Sequence, residues 1–512
     1  MYAAVGIEHK DRESGTIKSM SALLGIDLGT SSVKVVVYST TGNILGLGSA
    51  EYPILTPQPG WAEQDPEHWW SATVQAARTA HHAAGQPEVL AIGFSGQMHG
   101  PALLDKQNQL LGNAIIWADQ RSAPLLPEIE SRVGIKRLAE VCGTAPAAGF
   151  LIATLCWLQR HDPARFDKIG VILLPKDYVR FRITGEIATE PSDAAATGLF
   201  DVARRIWAWE VIETLDIPKS IFPEIRDSAE VCGRLLPGPA VELGLRPGIP
   251  VAAGSADQPA QAVGNGLIEP GQGSITLGTG GQVFVPLAAP LFDSKGRLHT
   301  FCHALSTRWY LLGAMLSAGM ALRWARHVLG CDEIPYQELD RRAEVLPIGA
   351  EGLFFLPYLV GERSPLMDPH ARGTFVGLTL RHDTAHLFRA VLEGISYAMR
   401  QIVETIEETG VVMDRWVASG NGLGSKFWRQ MLADTLNRPL LRGEDANSAE
   451  RAGVGAAILG GIGAGVLGGF KEAQSFAPKF NEVTEPDPSR VEAYERAYSR
   501  FKELYPLLKN WF

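Results

Sequence analysis

Two short segments 249 residues apart constrain this chain more than any other feature. Leu28-Gly29-Thr30 separates the apolar run that begins at Leu24 from Val33-Lys34-Val35-Val36-Val37-Tyr38, and Leu277-Gly278-Thr279 separates Ser274-Ile275-Thr276 from Gly281-Gln282-Val283-Phe284-Val285. Each reads as strand, glycine turn, strand. The offset is about half of the 512 residues. The repeat therefore predicts an internal duplication, with each lobe presenting one backbone turn to a shared cleft. Length points the same way, because a chain this long exceeds what one hydrophobic core supports. Strand-like Val89–Ser95 and helix-like Phe388–Glu408 make the class α/β. Asp65-Pro66-Glu67 carries a helix start: a capping carboxylate, a proline whose missing N–H costs nothing, and an acid at the positive end of the dipole. Glycines and Pro270 between Gly264 and Gly273 interrupt the pattern just before the second turn. This divides the chain into residues 21–268 and 269–512, with 1–20 a disordered extension.

Composition excludes several partners. A formal charge of −9 does not supply the excess Lys and Arg that a nucleic-acid backbone requires. The cysteines, five in number, never fall in a Cys-x-x-Cys spacing, so neither a disulfide framework nor a zinc knuckle is indicated and a reducing cytoplasm is expected. Residues 8–13 are charged where a secretory signal needs an apolar stretch. Gly453–Phe470 is apolar enough to raise the question of a membrane span, but eight of its eighteen residues are glycine, which reads instead as a closely packed buried helix and turn. His299 and His303 have the i, i+4 spacing of a metal pair, but no fixed helical pattern surrounds them and no carboxylate follows His299, so no metal is assigned there. His382 and His386 read as surface residues. The chain has no P-loop and no complete Gly-x-Gly-x-x-Gly opening a helix, so the P-loop and dinucleotide readings lose their main support.

Residue chemistry marks other candidates for a ligand site. Asp27, between Ile26 and Leu28, is a carboxylate in an apolar strand and needs a cation or donors to offset its burial. Asp257 follows the apolar run Ile249–Gly254, which places it at a strand end, where α/β sheets bind ligands; capping of the next helix is the competing role. Gln97-Met98-His99 lies in a loop after one β-run, and Trp117 and Asp119 follow another. Together they offer the donors, acceptors and apolar wall that a polyhydroxy ligand requires, although a lone His or Trp in such a place is more often packing.

The duplicated turn with Asp27 in its first copy resembles the two-lobed actin and hexokinase type of ATPase. Gly60-Trp61-Ala62-Glu63-Gln64-Asp65-Pro66, Gly96-Gln97-Met98-His99-Gly100, Leu174-Pro175-Lys176-Asp177-Tyr178 and Leu356–Pro365 are similar, in that order, to the FGGY carbohydrate kinase family, from about Leu24 to Leu459. The Gln-Met-His-Gly element resembles the sugar site of the family's xylulokinase branch. Two stretches depart from that branch: Asp257-Gln258 has the form found in glycerol kinases, and Ser419-Gly420-Asn421-Gly422 replaces a run of glycines. The resemblance implies ATP-dependent phosphorylation of D-xylulose to D-xylulose 5-phosphate, with another pentulose or a polyol as the alternative. Asp257 is then the general base, and Gln97, Met98, His99, Trp117, Asp119 and Gln258 line the sugar pocket. Gly29, Thr30, Ser31, Gly278, Thr279 and Gly280 hold phosphates, Gly420, Gly422 and Leu423 receive the adenine, and Asp27 anchors Mg2+ through water. An actin-like ATPase or a catalytically silent sugar sensor is the reading from another class. A homodimer is left open.

Overall fold

The computed structural model describes residues 21–443 and 450–512, so the expected N-terminal extension lies outside the described residues. The first half builds a seven-stranded sheet from β1 (Ser21–Leu28), β2 (Ser32–Ser39), β3 (Ile44–Glu51), β4 (Glu88–Gly96), β5 (Val231–Arg234), β6 (Pro250–Ala252) and β7 (Ser255–Ala256). Helix α1 (Pro66–Ala83) precedes β4, and α2 (Asp257–Gly264) follows β7 directly. The second half builds another sheet of seven from β8 (Gln272–Leu277), β9 (Gly281–Leu287), β10 (His299–Cys302), β11 (Trp309–Met315), β12 (Arg415–Ser419), β13 (Leu440–Arg442) and β14 (Glu482–Thr484). Its helices include α3 (Thr384–Glu407) before β12, α4 (Lys426–Leu436) after it and α5 (Arg451–Gly463) after β13.

The two sheets share one topology. In the first, β3-β2-β1 form an antiparallel meander, β4 and then β6 join in parallel, and β5 closes the edge antiparallel. The second sheet repeats the series with β11-β9-β8, then β12 and β13, then β14. The duplication expected from the Gly-Thr repeat is thus a duplication of whole sheets. Local signals explain the elements. Asp65 caps α1 by accepting from Glu67 N–H, Pro66 occupies its first turn, and Trp69, Thr73, Ala76 and Ala80 recur at helical spacing on the face buried against β2 and β3. Helix α3 begins four residues earlier than Phe388. Asp383 and His386 close a capping box there, and His386 is consequently buried rather than on the surface. His299 and Cys302 belong to a strand, and the His299 ring hydrogen-bonds Thr144.

The halves are locked by an exchange of helices. Helix α5, from the second half, covers the face of the first sheet formed by Leu23, Val36, Tyr38 and Ala91, while Ala262 of α2, from the first half, shares an apolar core with Phe284 and Val417 of the second sheet. The glycine-rich run read as a buried helix and turn is this α5, and among the described residues no helix is long and apolar enough to cross a membrane. Small residues set how close it lies. A methyl group at Gly455 would sit 1.9 Å from the Ala260 carbonyl oxygen of α2, one at Gly25 would sit 1.8 Å from that of Gly453, and one at Gly93 would sit 1.9 Å from that of Ala456. Backbone thus meets backbone on both sides of α5. Backbone atoms cannot give way as a flexible side chain does, so overpacking here falls at or above the usual cost of about 1–3 kcal/mol. Gly455→Ala should lower the melting temperature by several degrees, whereas Gly238→Ala, where nothing lies within 4 Å of the added methyl group, should leave it unchanged or raised. Thermal unfolding followed by circular dichroism measures both, and equal midpoints would show that the helix contact bears no load.

Candidate active site

Strand register assembles the site. β1, β4 and β7 lie side by side in parallel, with Asp27 opposite Ser95, Ser95 opposite Ser255, and Leu28 and Ala256 flanking Gly96. Asp27, the Gln97–His99 loop and Asp257 therefore emerge at the carboxyl ends of three adjacent strands, where parallel sheets leave their ligand crevice. Ser95 Oγ donates to Asp27 Oδ1 at 2.8 Å. Burial, more than that hydrogen bond or Lys34 can offset, pushes the Asp27 carboxyl above its usual range.

Asp257 occupies the first turn of α2, where the backbone N–H and side-chain amide of the adjacent Gln258 act to lower its pKa. Burial dominates these, and the negative charge of Asp27 adds to it, so the carboxyl is raised to about 7. Its Oδ1 is buried with no protein partner. A carboxylate that is desolvated, unpaired on one oxygen and balanced near neutrality is suited to accept a proton. The competing role of helix cap is not taken by Asp257: Ala256 stands at the cap position without a side-chain cap, and Asp257 is the first residue inside α2.

A fully buried ionic cluster holds the strand beneath it. Lys176 Nζ lies 2.7 Å from Asp177, 3.2 Å from Asp193 and 3.5 Å from Glu190, and Arg180 bridges Asp177 to the Ala253 carbonyl. Glu190 accepts from Ser192 Oγ, which in turn accepts from Ala256 N–H at 3.0 Å. Burial raises the Asp193 carboxyl well above its ordinary range. Leu174–Tyr178 thus supports the residue before Asp257, a role that the motif alone did not suggest.

The expected sugar residues separate into two groups. His99 has a left-handed backbone, φ +80°, a strain typical of functional loops. Its Nδ1–H donates to the Ala196 carbonyl at 2.7 Å, its ring stacks on Phe150 at 4.0 Å, and burial lowers its pKa to about 3. The ring is therefore neutral, with Nε2 left as an acceptor. Gln97 gives its amide hydrogen to Gln64 and keeps Oε1 buried and unpartnered. Met98 is half-buried beside this loop. Trp117 Nε1–H donates to Thr30 Oγ1 at 2.9 Å, so it ties the pocket to the first turn. Asp119 is committed elsewhere: it accepts from Ala62 N–H and from the N–H and Nε–H of Arg121, whose guanidinium also stacks on Trp61 at 3.5 Å. Its carboxylate is part of the scaffold. Gln258 is half-buried next to Asp257.

Gln64, inside a motif quoted for resemblance only, connects these parts by accepting from Gln97 and Trp69 and donating to the Thr30 carbonyl at 2.5 Å. Tyr52 secures the Gly29 carbonyl of the same turn. With its carbonyls tied back, the first turn leaves the N–H groups of Thr30 and Ser31 without an acceptor among the described residues, and the second leaves those of Thr279 and Gly280 likewise. Such pairs of outward N–H groups are the donor set that phosphate oxygens require. Gly420, at φ +85°, lies against the Leu277 carbonyl, and Thr276 Oγ1 meets Ser419 Oγ at 2.6 Å, which brings the expected adenine loop beside the second turn. The Leu423 side chain is buried in the core and its carbonyl accepts from Arg429, so it presents neither to a nucleotide. Among the described residues no cluster of three or more His, Cys, Asp or Glu forms a metal cage.

Residues 22–264 match the N-terminal domain of the FGGY family of carbohydrate kinases, and residues 273–464 match its C-terminal domain. The xylulose kinase of Escherichia coli (strain K12) is 38% identical over 95% of this chain and 99% of its own. The solved xylulose kinase of Lactobacillus acidophilus superposes with a TM-score of 0.90 at 27% identity, over 96% of this chain and 99% of its own. The gluconate kinase of the same organism superposes with a TM-score of 0.90 at 26% identity, over 96% and 98%. With both domains matched and a curated relative this similar along nearly its whole length, the chain belongs to the FGGY family of carbohydrate kinases.

Proposed function

We propose that this kinase transfers the γ-phosphoryl group of ATP to the terminal hydroxyl of D-xylulose, with Asp257 as the base. The observation that carries the reading is that Asp257 Oδ1 and Gln97 Oε1, on the residues directly after the paired strand ends Ala256 and Gly96, are both buried without a protein partner, as is the Nε2 of His299, whose ring shares Phe150 with His99. A polyhydroxy ligand satisfies these acceptors together. The xylulose kinases named above support the ketopentose.

The sugar hydroxyl donates its hydrogen bond to Asp257 Oδ1 as its oxygen attacks in line; the new O–P bond forms as the bond from the γ-phosphorus to the β,γ-bridging oxygen breaks, ADP leaves, and Asp257 takes up the proton. The Gln258 amide keeps the carboxylate aimed. This gives the Asp-Gln pair a role in orienting the base, not in selecting glycerol. N–H groups of Thr30, Ser31, Thr279 and Gly280 receive the phosphate oxygens from the two lobes, and Gly420 and Gly422 let the backbone approach the adenine. When bound, Mg2+ neutralises phosphate charge, and Asp27 would hold it through water, since a lone carboxylate fits a metal carried in mainly by phosphate. The division into a sugar-binding lobe, 21–268, and an ATP-binding lobe, 269–512, belongs to the same proposal.

Asp257→Asn should lower kcat roughly 10²–10⁴-fold with ATP affinity retained, in a coupled ADP-release assay. A variant within threefold of the parent excludes the role. The base works ionised, so kcat/KM should rise with pH and level off above about 7, the value to which Asp257 is raised. A profile flat from pH 5 to 8 counts against Asp257. Asp27→Ala should raise the Mg2+ concentration needed for half-maximal turnover. An unchanged Mg2+ titration assigns the metal elsewhere. Among substrates, D-xylulose should exceed glycerol by at least ~100-fold in kcat/KM, because a site built to pair hydroxyls discriminates strongly against ligands that lack them. His99→Ala should narrow that ratio by weakening the pentulose. Glycerol turned over as fast as D-xylulose refutes the assignment.

A further inference from the structure

Phe150 is the hub of the pocket wall. His99 stacks on it at 4.0 Å, the His299 ring lies 6.1 Å away, and the guanidinium of Arg363 stands 5.6 Å over its centre. His99 and Phe150 come from the first half, whereas His299 and Arg363 come from the second. Arg363 has no hydrogen bond or ion pair for its guanidinium among the described residues. The adjacent Glu362 spends Oε1 on the N–H groups of Leu316 and Arg363, and burial raises its carboxyl to about 8. A half-buried cation left without an oxygen partner is costly, which is the situation a ligand relieves.

The groups facing it are acceptors. His99 commits Nδ1–H to Ala196, and the Thr144 hydroxyl gives its hydrogen to the Ala145 carbonyl, so His299 Nδ1–H donates to Thr144. Both rings therefore offer Nε2. Burial and then the Arg363 charge hold each near 3, hence neutral. The charged neighbour acting on Asp257 is Asp27, and on Asp27 it is Lys34; Arg363 acts on the two imidazoles instead. Its guanidinium, over the ring on which His99 stacks, stands on the His99 side of the pocket.

We propose that Arg363 is a specificity-determining residue whose guanidinium donates to the C1 and C2 oxygens of the ketose, remote from the phosphorylated hydroxyl, between the Nε2 acceptors of His99 and His299. This rests on the ketopentose reading above. A three-carbon polyol engaged by Asp257 ends short of that contact, so Arg363 is a length gauge supplied by the second half to a pocket built mainly by the first.

The test compares Arg363→Met and Arg363→Lys with the parent on D-xylulose and on glycerol. Wild-type enzyme that turns over no ketopentose fails the functional proposal itself, a result read before any variant is made. With that activity in hand, Arg363→Met should lower kcat/KM for D-xylulose ~10²–10³-fold, mostly through KM, because the contact is present in ground and transition states alike. Glycerol should lose less than tenfold, the Lys variant should recover part of the pentulose loss, and added guanidinium ion should rescue the Met variant on D-xylulose alone. An unchanged ratio of the two substrates, or equal losses on both, overturns the proposal. If the Met variant lacks a cooperative melting transition, the Lys variant decides by the same ratio.

Discussion

Everything in this molecule depends on two helices that pass between lobes and touch through bare backbone. Helix α2 carries Asp257 in its first turn, and its far end, with Ala260 and Gly264, lies against Gly455 and Arg451 of α5. The position of Asp257, the proposed base, is therefore set by the contact that joins the halves. Any side chain larger than hydrogen at Gly455 pushes α2 away from α5, and the disturbance is delivered along a short, stiff helix to the carboxylate. The Lys176–Glu190–Ser192 chain fixes the strand before Asp257 from the other side. Such a buried ionic network contributes little net stability, and its use here is one of placement.

The duplicated sheets carry a deliberate asymmetry. At corresponding places the first has Asp27 accepting from Ser95, and the second has Thr276 paired with Ser419. The neutral pair in the second sheet leaves its turn free of negative charge, so that half can accept phosphates without a metal of its own. The carboxylate in the first sheet costs desolvation, which the proposed cation would offset. One architecture repeated, with one acid retained, thus gives the proposed site a metal-seeking side and a nucleotide-seeking side.

Much of this was legible in the sequence where the signal was local. The Gly-Thr turns, the Asp65-Pro66 start of α1 and the strand-end position of Asp257 each depend on a few adjacent residues, and the structure has each in place. What was hidden depends on pairs far apart in the chain. Nothing near Asp119 announces that Arg121 and Ala62 saturate its carboxylate, nothing near Leu423 says that the core claims it, and Gln64 gains meaning only beside Gln97 and Thr30. His386 was misplaced for a related reason: a histidine three residues after an aspartate is a weak helix-start signal until its ring is seen to reach back.

The docking of α5 on the first sheet also bears on how the protein is made. Leu23, Val36, Tyr38 and Ala91 line an apolar face that the first half cannot cover by itself, since the helix that covers it ends at Gly463. On a ribosome adding about 5–20 residues per second, roughly 10–40 s separate completion of β6 from emergence of that helix. Through that interval the nascent chain presents an exposed sticky surface, and shielding by a chaperone would decide its yield. The same dependence means that a polypeptide severed between the halves has no finished domain on either side of the cut, and two such pieces would regain a fold only by finding each other.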